Sequence, residues 1–219
     1  MINLYNIGTD FIWYSILLQL IFCLVTSVIA YQAYKIFRIT KKDQAKFMFL
    51  AFLSIFLSYL IQIIFDFLAW IGFNYNSYVF LGIHPLSVFN EQGLYFHVIF
   101  FTIGLAFLMY NAFRTENKGV MWYLILSSLL VLFLTKDLLI GFFLLGTLYL
   151  GFLSYHFYLN YNSKKSKNAL LVVSSFAVLF AANVILIFMG SSSPLYYAAQ
   201  TLNLLGYSLV LLNYFLLSK

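Results

Sequence analysis

The chain has 219 residues, of which 64% are hydrophobic and only 8% are Asp, Glu, Lys or Arg, against about 25% charged in soluble proteins. Apolar runs of membrane-spanning length on so few charges exclude a soluble globular protein and leave an integral membrane protein. The formal net charge of +6 does not imply nucleic acid as a partner, because the cations sit in short clusters beside apolar spans, where topology selection and anionic headgroups account for them.

The hydropathy pattern predicts seven spans at about 11–37, 47–73, 94–113, 120–135, 138–159, 169–190 and 195–217, leaving too little chain for a separate globular domain. The expected fold class is therefore all-α, a polytopic seven-transmembrane-helix bundle forming one domain over 1–219. The first span follows a polar segment without a basic residue, so it lacks the charged n-region of a cleaved signal peptide and is expected to persist as a helix. It carries the single cysteine, Cys23, which cannot form an intrachain disulfide. Lys35, Arg38, Lys41, Lys42 and Lys46 surround the first loop, and the gap 74–93 holds no Lys or Arg. In that gap Tyr78-Val79-Phe80-Leu81 is expected to lie on or dip into the membrane interface, beside a turn at His84-Pro85.

Arg114 and Lys118 follow the third span, Lys136-Asp137 makes a minimal turn after a short fourth, and Lys164, Lys165 and Lys167 follow the fifth. Eleven of the twelve cations thus fall in every second gap or at Lys219, with Lys136 the exception. The positive-inside rule then predicts the N-terminus outside the cell membrane and the C-terminus in the cytoplasm. Phe (26) and Tyr (18) are abundant, but Phe, Tyr, Ile, Asn and Lys share AT-rich codons, so abundance alone defines no aromatic site.

An internal similarity accompanies this layout. Tyr31/Tyr155, Tyr34/Tyr158, Lys41/Lys165, Ala45/Ala169, Phe52/Phe176 and Phe56/Phe180 share an offset of 124, and Tyr95/Tyr197, Gly104/Gly206, Asn111/Asn213 and Phe113/Phe215 one of 102. The long second loop accounts for the difference. Spans one to three and five to seven are expected to be parallel copies joined by the fourth, a 3+1+3 arrangement.

Ionisable groups inside spans are costly and mark functional candidates. Asp66 is expected about 9 Å from the midplane, inside a hydrocarbon half-thickness of about 15 Å. Gln62 and Tyr59 share its helical face. His97 in span three could donate to Asp66 or carry a proton, or sit solvated among headgroups. Glu91 is expected to cap the start of that helix. Span seven carries Tyr196, Gln200, Asn203 and Tyr207 on one face, and span six adds Asn183. Amides of this kind also bond helices together. With Gln19, these groups all fall in the outer half of the bilayer, which predicts a polar pocket open to the outside. Asp66, Gln62, His97, Asn183, Gln200 and Asn203 are the expected ligand-binding or proton-linked residues. No catalytic residue, metal ligand set or cofactor signature is expected. His156 is expected to be a solvated helix-end residue, and Gly104, Gly146, Gly151 and Gly206 to allow close helix approach.

Three seven-helix groups invite comparison. A rhodopsin needs a lysine in its last span for retinal, and 195–217 has none. PQ-loop carriers bear Pro-Gln pairs, whereas Pro85 and Pro194 precede Leu86 and Leu195. The basic stretch Tyr31-Gln32-Ala33-Tyr34-Lys35-Ile36-Phe37-Arg38 leading into an aromatic second span resembles the seven-helix membrane regions of sensors and their stand-alone archaeal and bacterial relatives. That architectural resemblance implies a non-enzymatic binder of a small ligand or membrane partner. With no transmitter domain before Lys219, it would signal through a separate membrane or cytoplasmic partner. A small-solute or proton-coupled transporter and a structural subunit of a membrane complex are the alternatives.

Overall fold

In lipid a spanning segment must satisfy its backbone internally, and long apolar runs free of interior proline do so as helices. The computed structural model describes the backbone of residues 9–74, 85–115, 117–188 and 193–217, and side chains within 14–68, 91–115, 117–188 and 194–216. Among these residues the regular elements are seven α-helices: α1 (Thr9–Thr40), α2 (Asp43–Asn74), α3 (Pro85–Phe113), α4 (Lys118–Leu134), α5 (Leu138–Lys164), α6 (Lys167–Ile187) and α7 (Ser193–Leu217). Six are long and apolar enough to cross a membrane. The exception is α4, whose 17 residues reach about 26 Å, short of a hydrocarbon core of about 30 Å.

The helix ends differ from expectation where local chemistry outweighs hydropathy. Proline suits the first helical turn, because its fixed φ is helical and its missing N–H would have no partner there. Accordingly α3 starts at Pro85, ahead of the expected 94. Glu91 therefore lies in the second turn, exposed, and does not cap the helix. Helix α5 runs on to Lys164, which puts His156 two turns inside it, half-buried between Phe152 and Phe157 and 3.1 Å from the Asn160 amide. Asp137 caps α5 by accepting from the Leu139 and Ile140 amides at 3.1 and 3.3 Å. Residues 75–84, with the expected interfacial segment, lie outside the described residues.

Two of the turns at the lysine-rich end share one geometry. Lys41 and Lys165 both take left-handed φ, 54° and 46°, and donate their amides to Phe37 O and Tyr161 O at 2.8 and 2.7 Å. A single bond of this kind closes the last turn of a helix and is usually built on glycine.

Helices α1, α2 and α3 pack side by side, as do α5, α6 and α7; α3 meets α5, α1 meets α7, and α4 lies against α3 and α5. The order α1-α2-α3-α5-α6-α7 therefore closes on itself. Glycine lets the paired helices approach. A Cβ at Gly104 would stand 2.8 Å from Ala51 O and 2.6 Å from the Ile55 side chain, and one at Gly206 would stand 3.3 Å from Ser175 O and 2.6 Å from Leu179. Ser54 also donates across α2–α3 to Phe100 O at 2.9 Å. The core joins Phe22, Ile29, Phe52, Ile55, Leu105, Leu153, Phe176, Leu179 and Tyr207. Cys23 is buried and free. The outward face of α4 (Trp122, Tyr123, Leu126, Leu130, Phe133) is exposed and apolar, the face a bilayer would cover.

Candidate functional site

Three tiers of side chains follow α2 from its C-terminal end toward the lysine-rich end, each about 10 Å from the next at 1.5 Å per residue. The first centres on Asp66. Gln19 of α1 donates from Nε2 to Asp66 Oδ2 at 2.9 Å and also contacts Ser15 Oγ at 3.1 Å. Tyr196 of α7 is hydrogen-bonded to the side chains of Ser15 and Gln200 and lies within Coulombic range of Asp66. Gln19 Oε1 is buried without a hydrogen-bond partner. The Gln19–Asp66 bond ties α1 to α2, and the bond between Tyr196 and Ser15 ties α7 to α1. The arrangement leaves an acidic group among donors and acceptors, suited to holding a cation, a hydrogen-bond donor or a proton.

The second tier is aromatic. Tyr59 packs 5.3 Å from Phe22, 5.1 Å from His97 and 6.0 Å from Phe101, centroid to centroid, and its hydroxyl lies 3.5 Å from that of Tyr207. Phe142 of α5 closes the layer against Phe101 at 5.4 Å. His97 belongs to this layer. Its ring approaches the Ser58 backbone, and its Nδ1 has no hydrogen-bond partner.

The third tier is a cavity of about 280 Å³ between the two three-helix groups, with Met48, Phe52 and Asn111 on one side and Val172, Phe176 and Asn213 on the other. Asn213 is buried, and the Oδ1 atoms of Asn111 and Asn213 both lack partners.

Of the six residues expected to share a pocket, Asp66 and Gln200 lie near one tyrosine, Tyr196, which is hydrogen-bonded to Gln200. His97 lies in the aromatic layer, joined to Tyr59 rather than to Asp66. Asn183 is elsewhere, at the α5–α6 contact, where it donates to Leu179 O at 3.4 Å and its Oδ1 would stand 2.8 Å from a Cβ at Gly146. Gln62 and Asn203 are half-buried one turn from Asp66 and Gln200, and no hydrogen bond ties either to another described side chain. Sequence reasoning left Ser15 and the Asn111/Asn213 pair out of the candidate set. The pair was visible in the internal similarity, as two amides matched at one offset. Among the described residues no group of three or more His, Cys, Asp or Glu could hold a metal ion. No protein-family profile, curated protein or solved structure matches this chain.

Proposed function

We propose that this membrane protein is a sensor-like, non-enzymatic binder that takes a small ligand or membrane partner at the Asp66 tier and passes the event to a separate membrane or cytoplasmic protein. The observation that carries the reading is the Gln19–Asp66–Tyr196–Gln200 constellation, a carboxylate inside a span that is bonded to α1 and lies near a tyrosine of α7. A ligand engaging Asp66 would change how α1 and α7 meet, and helix displacement is how such a bundle reports binding. The cation distribution supports an N-terminus outside the cell membrane and a C-terminus in the cytoplasm.

The test uses the purified protein in nanodiscs and thermal unfolding against a panel of primary and quaternary amines. A saturable rise in midpoint that disappears in Asp66→Asn supports the reading. A rise that survives Asp66→Asn, or no rise with any member, removes it in favour of a scaffold whose amides serve only to join helices.

A second reading, a small-solute or proton-coupled carrier, draws on a different observation. The two groups share the left-handed Lys41 and Lys165 turns, the Gly104 and Gly206 contacts, and buried pairs such as Ile29/Leu153 and Phe52/Phe176. These support a parallel 3+1+3 duplication, with a cavity between the copies at one end and the Asp66 tier at the other. Carriers rock such halves about a central site. In proteoliposomes under a pH gradient, proton-coupled flux should vanish in Asp66→Asn. Flux that persists unchanged would sink the coupled mechanism.

A further inference from the structure

The cavity at the lysine-rich end is distinct from the Asp66 tier and separated from it by the aromatic layer. Its walls are mostly apolar, and no charged side chain lines it. A charged ligand would lose its hydration there without an ion partner, at a cost no hydrogen bond of the site offsets. The polar content is of another kind. Asn111 and Asn213 stand on opposite walls, each with a buried amide oxygen that finds no donor in the protein. Asn111 makes only a 3.9 Å contact from Nδ2 to Met48 Sδ. Buried polar atoms without partners cost about 1–3 kcal/mol each, and a native fold retains them where something else satisfies them. The terminal torsion of asparagine is soft, so either end of each amide can turn into the space between. Ile36 and Gln44, both exposed, also line the cavity and give it an opening. Its volume of about 280 Å³ is just below the range of about 300–1,000 Å³ typical of drug-sized ligands.

We propose that this cavity is a binding site for an uncharged small solute bearing hydroxyl or amide N–H groups, held between the side-chain amides of Asn111 and Asn213 with its carbon skeleton against Phe52 and Phe176. Each amide offers one acceptor and two donors, which matches a group that both gives and takes hydrogen bonds. The proposal does not depend on the Asp66 tier binding anything.

The test places a cysteine at Val172 on the cavity wall, in a Cys23→Ala background, and follows its modification by a small methanethiosulfonate. Glycerol, glucose, urea and acetamide serve as neutral probes, with glycerol phosphate and acetate as charged counterparts. At a concentration about four times its dissociation constant, a bound neutral probe should slow labelling about five-fold by mass action. Asn111→Leu combined with Asn213→Leu should abolish that protection while the rate without probe stays the same, and Asp66→Leu should leave protection intact. The unsubstituted chain gives a second readout, a rise in unfolding midpoint with the same probe.

The proposal is overturned if no neutral probe protects or raises the midpoint, if protection survives the double leucine variant, or if the charged counterparts protect equally well. Slow labelling in lipid nanodiscs without probe, relieved in detergent, would mean that a lipid headgroup fills the space, and would likewise overturn a free solute. Loss of protection in Asp66→Leu would overturn the independence of the two sites.

Discussion

The two three-helix groups are alike at one end and unlike at the other. Toward the lysine-rich end, Met48 faces Val172, Phe52 faces Phe176 and Asn111 faces Asn213 across one cavity, the first two pairs at an offset of 124 and the third at 102. Toward the opposite end the correspondence does not extend to the polar candidates: the positions matching Gln19 and His97 are Phe143 and Ala199, and those matching Gln200 and Asn203 are Val98 and Phe101. At the position matching Asp66 stands glycine, Gly190. Symmetric walls suit a ligand contacted from both sides, whereas an asymmetric polar seam gives each group a different task.

Substitutions at the two glycine contacts are the severest way to break that likeness. Gly104→Ala directs a methyl at a backbone oxygen, Ala51 O at 2.8 Å, as well as at Ile55. Gly206→Ala meets mainly the Leu179 side chain, with Ser175 O farther away at 3.3 Å. A side chain can turn aside and a backbone oxygen cannot without moving its helix. Overpacking costs about 1–3 kcal/mol, against a helix-propensity gain of about 1 kcal/mol for alanine over glycine. Gly104→Ala should therefore lose about 2 kcal/mol net at the upper end of that range, and Gly206→Ala close to nothing. Thermal unfolding in detergent measures both, and equal losses would mean that the two contacts respond alike.

The two polar ends should also respond with opposite sign. Asp66→Leu removes the carboxylate to which Gln19 donates and leaves that amide only its Ser15 contact, and should cost about 1–3 kcal/mol. Asn213→Leu removes an oxygen that has no partner and should be neutral or stabilising when no ligand is present. A loss of stability in Asn213→Leu comparable to that of Asp66→Leu would mean that its amide is bonded within the fold, and the comparison between the two ends would fail.

The fourth helix belongs to neither group, and its attachment can be weighed separately. Ser128 and Tyr149 share a hydrogen bond across α4 and α5. Tyr149→Phe removes the hydroxyl and keeps the ring, so about 1 kcal/mol of stability should be lost. Faster hydrogen exchange should be confined to α4 and its contacts with α3 and α5. Exchange spread evenly over all the helices would show that α4 is integral to the ring.

The helices were legible because apolar run length speaks directly to a bilayer, and the close glycine contacts were legible because Gly104 and Gly206 recur at a fixed offset. The start of α3 was missed because hydropathy is blind to what Pro85 does for a first turn. The site was legible only in part. Depth along a helix can be counted from sequence, and it groups Asp66, Gln200 and the other polar residues of the spans in one half of the bilayer. Azimuth relative to other helices cannot be counted, and it decides that Asp66 meets Gln19, that His97 turns to Tyr59, and that Asn183 faces Gly146. The Asn111/Asn213 cavity needed both kinds of information, because the shared offset was in the sequence and the facing of the two walls was not.

The smallest expected effect tests the likeness at the lysine-rich end. Lys41 and Lys165 each hold a left-handed backbone, φ 54° and 46°, which costs an L-residue roughly 1–2 kcal/mol and a glycine nearly nothing. Part of that relief is lost again, because glycine in the unfolded chain has more freedom to surrender. Lys41→Gly and Lys165→Gly should therefore each raise stability by a few tenths of a kcal/mol up to about 1 kcal/mol, additively, since the two turns are independent. Each also removes one cation from the clusters that set orientation. Cysteine accessibility in intact cells should nevertheless stay unchanged, since Lys35, Arg38, Lys42 and Lys46 remain beside the first turn and Lys164 and Lys167 beside the other. Unequal gains in unfolding midpoint would show that the two turns, alike in geometry, are held in place by different surroundings.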